Sequence, residues 1–274
     1  MKNQMQKIKT YIYNIVLFVL ILLCFIFLFK IGYTVYQYYQ SDSTYKEIAE
    51  ENISKITEIN EDDVEIEKPE FPNISIDIEN LLSQNKDFIG WLYFADGNIN
   101  LPVVKETVED INKYEDYDFY SRQNAGGCLF ISYDVKNDFS LNNNYIYGHN
   151  MKNGSMFGTL KNLYRNPELI SDPYFYIWTK DGERIKYRVL AIYKTTESSE
   201  MYTIPKDKKA QSKYLDKMFR KGSIITQIPL TVREQSAVSN SNDLTTLYTC
   251  YGKTGSDERL FVQGIEIVRE KIVN

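Results

Sequence analysis

Apolar and polar positions divide the chain into three stretches. Thr10 to Phe29 reads TYIYNIVLFVLILLCFIFLF, twenty residues without a charge. A helix needs about 20 apolar residues to cross a bilayer core, and a secretory signal has a shorter apolar core. The run therefore predicts a spanning helix; a buried core helix, the alternative, is rarely so long and uniform. No A-x-A-like cleavage site succeeds it, since the next residues are Lys30, Ile31, Gly32 and Tyr33, so the helix is expected to stay as an anchor. Over 33–72 the pattern changes. Tyr45, Ile48, Asn52, Ile56 and Ile59 recur at helical spacing among charged residues, and the acidic stretch Glu58–Glu70 runs out at Pro69 and Pro72. That predicts a stalk helix and a linker, or else a helix packed on the folded domain. The expected organisation is a tail over 1–9, an anchor over 10–31, a stalk over 32–72 and a folded domain over 73–274.

The third stretch opens with DIENLLSQNKDF, 77–88, which predicts a short helix started by an acidic residue and ended near Gly90. Short β-branched and aromatic runs come next: WLYF, INLPVV, GCLFISY, NNYIYGH, YFYIWT, RIKYRVLAIY, LTTLYTC and LFVQGIEIV. Turn pairs such as Asp96-Gly97 and Asp181-Gly182 separate them. This pattern, without βαβ rhythm or internal repeat, predicts an antiparallel barrel or sandwich. One helix interrupts the strands over 205–222. Pro205 suits its start, Ala210, Tyr214, Leu215, Met218 and Phe219 form its apolar stripe, and Gly222 ends it. Its other face carries Lys206, Lys208, Lys209, Lys213, Lys217, Arg220 and Lys221, expected as a solvated face; contact with anionic wall polymers or lipid is the alternative.

Charge and composition narrow the function. The 274 residues carry a formal net charge of -5, which argues against nucleic acid as a partner. The only charges in 1–30 are Lys2, Lys7, Lys9 and Lys30, leaving -9 on the rest. Three lysines before the span against one just after it predict a cytoplasmic N-terminus and an extracellular folded domain, a single-pass protein of the cell membrane. There is one histidine, and there are three cysteines, with no HExxH, CxxC, GxxxxGK[ST] or GxGxxG. A zinc centre and a phosphate-cradling loop are therefore not expected, and neither is a cofactor. Asp134 and Asp138 read as turn residues rather than calcium ligands.

Any mechanism that needs an imidazole must use His149, at the end of the strand NNYIYGHN. Cys250 closes the strand LTTLYTC, and Arg259 opens the strand after the intervening loop. Strands joined by such a loop are neighbours, so Cys250 and Arg259 are expected side by side. A thiolate nucleophile, an imidazole that exchanges its proton and a guanidinium that holds a developing oxyanion make an acyl-transfer set. The bland reading of Cys250 is a small buried apolar residue. Cys128 and Cys250 are also free to form a disulfide in an oxidising compartment, although one buried thiol and one working thiol fits two distant cysteines better.

These residues carry a resemblance. Asn142 to Leu163, NNNYIYGHNMKNGSMFGTLKNL, resembles the histidine signature of sortases. Thr246 to Cys250, TLYTC, resembles their TLxTC motif, and Arg259 falls where the family has its arginine. Ile89 to Lys105, IGWLYFADGNINLPVVK, the Met-x-x-Gly-x-Met-Phe run and the 205–222 helix resemble class B members, and the likeness spans about 74–270. It implies an eight-stranded β-barrel on a membrane-anchored transpeptidase of Gram-positive bacteria. Such an enzyme cleaves the sorting motif of a secreted protein after threonine, through a thioacyl enzyme that an amine resolves. Cys250 would be the nucleophile, His149 the general acid/base and Arg259 the oxyanion or positioning group. Thr249, Tyr248, Tyr202 and Ile204 would contact substrate, Tyr248 standing where many class B members have serine. The implied motif is NPxT-like or [SN]PxTG-like, and the implied acceptor is a peptidoglycan stem or cross-bridge amine. A pilin lysine is the alternative acceptor; release to water and a non-catalytic barrel that only binds sorting signals are further alternatives. The aspartate-proline-aromatic run Asp172–Tyr174, which resembles a pilus-sortase lid motif, lies after the histidine and reads as a turn.

Overall fold

The computed structural model describes residues 2–56, 70–135, 139–221, 228–253 and 255–272. Most of the acidic linker, with Ile59, Asp138 and Gly222, lies outside the described residues. The chain divides into two compact units, Met1–Gln40 and Ser41–Asn274. Helix α1 (Lys2–Asn52) starts in the first unit, where it carries the apolar run and every residue from Gln4 to Tyr36 is exposed, and ends in the second. This segment is long and apolar enough to cross a membrane.

The second unit begins at Ser41 rather than near Asn73. Ser41, Thr44, Tyr45, Ile48 and Asn52 lie on one stripe of α1 and are buried. The Tyr45 hydroxyl donates to the Gly127 carbonyl. The helical stretch read as stalk is thus partly a packed element, the second of the two readings. Strand β1 (Ile53–Lys55) then pairs antiparallel with β2 (Ile74–Ile76). Helix α2 (Ile78–Gln84) is shorter than expected. The Asp77 side chain caps it by accepting from the Asn80 N–H, and Leu81 is its buried anchor. The chain after Gln84 leaves the helix at once, so Phe88 belongs to the first barrel strand.

That barrel is built from β3 (Phe88–Phe94), β4 (Ile99–Lys105), β5 (Leu129–Ile131), β6 (Asn143–Tyr147), β7 (Tyr174–Thr179), β8 (Glu183–Thr196), β9 (Leu244–Cys250) and β10 (Glu258–Lys271). Helices lie between these strands, among them α3 (Lys113–Asp116), α4 (Leu160–Arg165) and, between β8 and β9, α5 (Lys208–Arg220). The strands close in the order β10-β8-β7-β3-β4-β5-β6-β9. The purely antiparallel expectation is corrected here: β4 pairs parallel with β5, and β6 parallel with β9. A parallel pair needs a long return, and 106–128 and 148–243 supply it. Trp91, Phe94, Phe175, Trp178, Tyr187 and Phe261 fill the fully buried core. Each such side chain stabilises the fold by roughly 1.5–3 kcal/mol through lost contact with water.

Helix α5 confirms the interrupting element with a corrected start. Asp207 caps it by accepting from the Ala210 N–H, so Pro205 lies two residues before the cap. Tyr214, Leu215 and Met218 face the core, while the seven basic residues are exposed, Lys208 pairing with Asp243 and Lys217 with Glu200. A helix α6 (Val232–Ser239) was not expected. Its signal is present as Thr231-x-x-Glu234, a reciprocal capping box. Glu234 also meets the buried Arg188 guanidinium, Nε to Oε1 3.4 Å, and so ties α6 to β8.

Candidate active site

The parallel β6–β9 pair places Tyr147 opposite Tyr248. Both strands therefore end at the same rim of the barrel, where β6 runs through Gly148 into His149 and β9 ends on Cys250. The Gly148 N–H donates to the Tyr248 carbonyl at 3.2 Å, and the Asn150 side-chain amide donates to the Cys250 carbonyl at 2.9 Å. Across the antiparallel β9–β10 ladder Arg259 is the direct partner of Cys250. The three residues picked from spacing are brought together at one end, all half-buried.

His149 is held from two sides. Its Nε2 lies 2.7 Å from the Glu115 carbonyl oxygen, on α3, and its Nδ1 lies 3.1 Å from the Tyr147 hydroxyl. The same hydroxyl is 3.6 Å from Cys250 Sγ. Tyr147 and Glu115 were missed in the sequence. Tyr147 had a signal, because residues two apart on a strand share a side. The Glu115 contact is a backbone one and leaves no trace in residue type. Burial, followed by the neighbouring Cys250, pushes the Tyr147 phenol well above its ordinary range.

Arg259 is anchored along one edge. Its Nη1 donates to the carbonyls of Ser256 and Glu258 at 3.0 and 2.9 Å, and Nη2 bonds to Glu197. Among the described residues Nε has no hydrogen-bond partner, so donors remain for a ligand. Glu197, just after β8, is a further contact that spacing did not suggest.

Cys250, Arg259, Tyr147 and Glu197 line a cavity of about 460 Å³ with Tyr145, Tyr202, Ile204 and Tyr248. Tyr202 stacks on Tyr145 with ring centroids 5.1 Å apart, and Tyr248 stands edge-on to Tyr202 at 5.2 Å. Burial pushes the Tyr248 phenol up to about 12, so it stays a neutral donor at any working pH. The expected groove residues Tyr248, Tyr202 and Ile204 are thus brought to the site. Thr249 is not: it is fully buried away from the cavity, its hydroxyl unpartnered among the described residues, because strand alternation turns it from the side of Tyr248 and Cys250. Glu106, Glu115 and Asp134 add an acidic margin to the cavity. Burial pushes the Glu106 carboxyl up against the opposing pull of the Asn112 N–H, and the charges of Glu115 and Asp134 add to the rise.

All three cysteines are free, so no disulfide joins Cys128 to Cys250. Cys128 is buried, which pushes its thiol up to about 12 and suits a bystander. Among the described residues no cluster of His, Cys, Asp and Glu is placed to hold a metal.

The family model for the sortase domain matches residues 95–266, a span that includes His149, Cys250 and Arg259. The chain belongs to the sortase family. Within the family it resembles class B. It is 26% identical to sortase B of Listeria monocytogenes over 203 residues, covering 72% of this chain and 74% of the relative. It is 25% identical to sortase B of Staphylococcus aureus over 222 residues, 80% and 83%. Among solved structures, sortase B from Bacillus anthracis in complex with AAEK1 superimposes with a TM-score of 0.63 at 23% identity, over 85% of this chain and 99% of that one. A Streptococcus pyogenes class B sortase involved in pilus biogenesis gives 0.57 at 26% identity, over 69% and 97%. The first of these structures establishes likeness of fold, and the sortase barrel expected from the motifs is the one observed.

Proposed function

We propose that this sortase is a cysteine transpeptidase that cleaves a sorting motif, NPxT-like or [SN]PxTG-like, after threonine and transfers the protein to a peptidoglycan amine. The observation that carries the reading is the meeting of Cys250, His149 and Arg259 at one rim of the barrel, where Cys250 and Arg259 line an aromatic cavity and His149 reaches Cys250 through the Tyr147 hydroxyl. In it the Cys250 thiolate attacks the threonine carbonyl, the Arg259 guanidinium steadies the oxyanion, and His149 protonates the leaving amine to give a thioacyl enzyme. His149 then takes a proton from the incoming amine as that amine displaces the thiolate. Tyr202, Tyr248 and Ile204 are proposed to hold the motif. The acidic margin of Glu106, Glu115 and Asp134 favours approach of an ammonium-bearing acceptor. A pilin lysine is the second reading, favoured by the likeness to the pilus-biogenesis enzyme.

The proposed topology has residues 1–9 in the cytoplasm, 10–31 in the membrane and the barrel outside. The lysine distribution supports it. The test is the full chain in detergent micelles with quenched peptides bearing NPxTN, NPxTG, SPxTG and LPxTG, each with and without diaminopimelate, oligoglycine or a pilin-type lysine peptide. Cleavage after threonine with an amine adduct, lost in Cys250→Ala and His149→Ala, is the expected result. Cleavage without any adduct would point to hydrolysis, and no cleavage by folded protein would overturn the reading.

A further inference from the structure

The thiol and the imidazole meet at a third group. Tyr147 Oη lies 3.1 Å from His149 Nδ1 and 3.6 Å from Cys250 Sγ. We propose that the Tyr147 hydroxyl is the bridge through which Cys250 passes its proton to His149. The inference rests on Cys250 and His149 working as a pair, as in the function above.

Direction comes from one fixed acceptor. The Glu115 carbonyl oxygen can only accept, so the His149 Nε2 that lies 2.7 Å from it carries a proton. A neutral imidazole with its proton on Nε2 presents Nδ1 as an acceptor. The Tyr147 O–H then donates to Nδ1, and its oxygen is left to accept from the Cys250 S–H. The chain of donors runs from Sγ through Oη to Nδ1 without a conflict.

The transfer balances along that chain. The S–H bond breaks and Oη gains its proton, while the original hydroxyl proton leaves Oη for Nδ1. The products are a thiolate, an imidazolium and an unchanged phenol. In the charged pair every donor is reversed: Nδ1–H donates to Oη, and the hydroxyl donates to the thiolate. The hydroxyl is thus a hydrogen-bond partner to the pair in both states. Burial keeps the phenol neutral throughout, so Tyr147 relays the proton without holding charge. The imidazole edge stands at 75° to the Tyr147 ring with centroids 5.4 Å apart, and the ring is buried, so the hydroxyl is held in place.

Alkylation of Cys250 tests this without any knowledge of the sorting motif. Full-length protein in micelles is treated with iodoacetamide from pH 5 to 10, and modification is read at the Cys250 peptide by mass spectrometry. Tyr147→Phe removes a hydrogen bond to a charged sulfur, so alkylation at pH 7 should fall about tenfold while the high-pH plateau stays within twofold. In a His149→Ala background only the direct hydroxyl–thiolate bond remains to be lost, so the same substitution should cost clearly less than it does in the wild type. A Tyr147→Phe profile that superimposes on the wild type, or an equal loss in the His149→Ala background, overturns the relay. Where Tyr147→Phe fails to fold, 3-fluorotyrosine at 147 keeps the shape and strengthens the donor. It should raise the pH 7 rate at least twofold, and an unchanged rate overturns the proposal. A normal alkylation result with no peptide cleavage would instead count against the assigned substrate class.

Discussion

A single methyl at Gly148 should disable the site more than it destabilises the barrel. A Cβ there would lie 2.4 Å from Leu129 Cδ2 and 2.7 and 2.9 Å from Phe157 Cδ2 and Cγ. Carbon atoms pack at about 3.5–4.0 Å, so the overlap is about 1 Å on two sides. The Leu129 methyl ends a flexible chain and can turn. The Phe157 ring root cannot, since Phe157 is fully buried and its N–H is tied to the His149 carbonyl at 2.9 Å. Relief must come from a shift of the turn itself. Overpacking of this kind costs about 1–3 kcal/mol. At about 2 kcal/mol the melting point falls by about 4–8 °C for a domain of this size. The turn carries His149, so a displacement of about 1 Å also loosens the bonds to the Glu115 carbonyl and Tyr147. Misplacement on that scale costs about 100-fold in rate. Peptide cleavage and thermal melts of Gly148→Ala give both numbers. Gly182→Ala is the control: its φ of 75° strains alanine by about 1–2 kcal/mol, but nothing lies within 4 Å of the added methyl, and kcat/KM should not change. Full kcat/KM in Gly148→Ala despite a lowered melting point would refute the positioning of His149 by this turn.

Arg259→Lys should lower kcat/KM about 100-fold or more, the usual cost of an oxyanion donor, because an ammonium cannot hold two carbonyls and still reach substrate. Its melting point should stay within about 3 °C, since the Glu197 partner is exposed and such pairs add at most about 1 kcal/mol; an unimpaired rate would remove Arg259 from the chemistry. Glu234→Gln should cost about 3–5 kcal/mol in denaturant unfolding at pH 7, by leaving the buried Arg188 charge without its carboxylate. Burial raises the Glu234 carboxyl, yet the Tyr174 hydroxyl, the Thr231 N–H and Arg188 together hold it below its ordinary 4.5. Its contribution is therefore complete above about pH 4.5 and is lost as pH falls through the lower folded value. The gap between wild type and Glu234→Gln should narrow at pH 3.5, and a gap independent of pH would show that the charge is not what Arg188 requires.

Legibility in the sequence tracked the range of the interactions. The strands were readable because side-chain alternation is local, and so was the neighbour relation of Cys250 and Arg259, which a short loop enforces. The apolar run 10–29 was readable from length and charge alone. Burial of Ser41, Thr44, Tyr45, Ile48 and Asn52 was half readable: the spacing marks one face of a helix, but spacing does not say what covers it. The parallel pairings were not readable, because strand propensity carries no direction. Helix α6 was overlooked although Thr231 and Glu234 spell its cap, since its eight residues hold too few apolar positions for a clear period. The grip of the Glu115 carbonyl on His149 was illegible in principle, since any residue at 115 offers that oxygen.

Strand direction decides whether these residues form a site at all. Cys250 and Arg259 adjoin through a local hairpin that needs only β9 and β10. His149 is about a hundred residues away and reaches them solely because β6 runs parallel to β9, from Asn143 beside Leu244 to Tyr147 beside Tyr248. An antiparallel pairing of the same strands would satisfy the same hydrogen-bonding capacity and put the imidazole at the opposite end of the barrel. The side chains reinforce the correct choice near the start of the pair: Thr246 donates to Asn143 at 2.8 Å, and Asn144 donates to the Leu244 carbonyl at 3.2 Å. The β6–β9 pairing that closes the barrel is therefore also what brings the imidazole near the thiol. Without that pairing Cys250 would keep Arg259 beside it but would lack the imidazole that the proposed function requires.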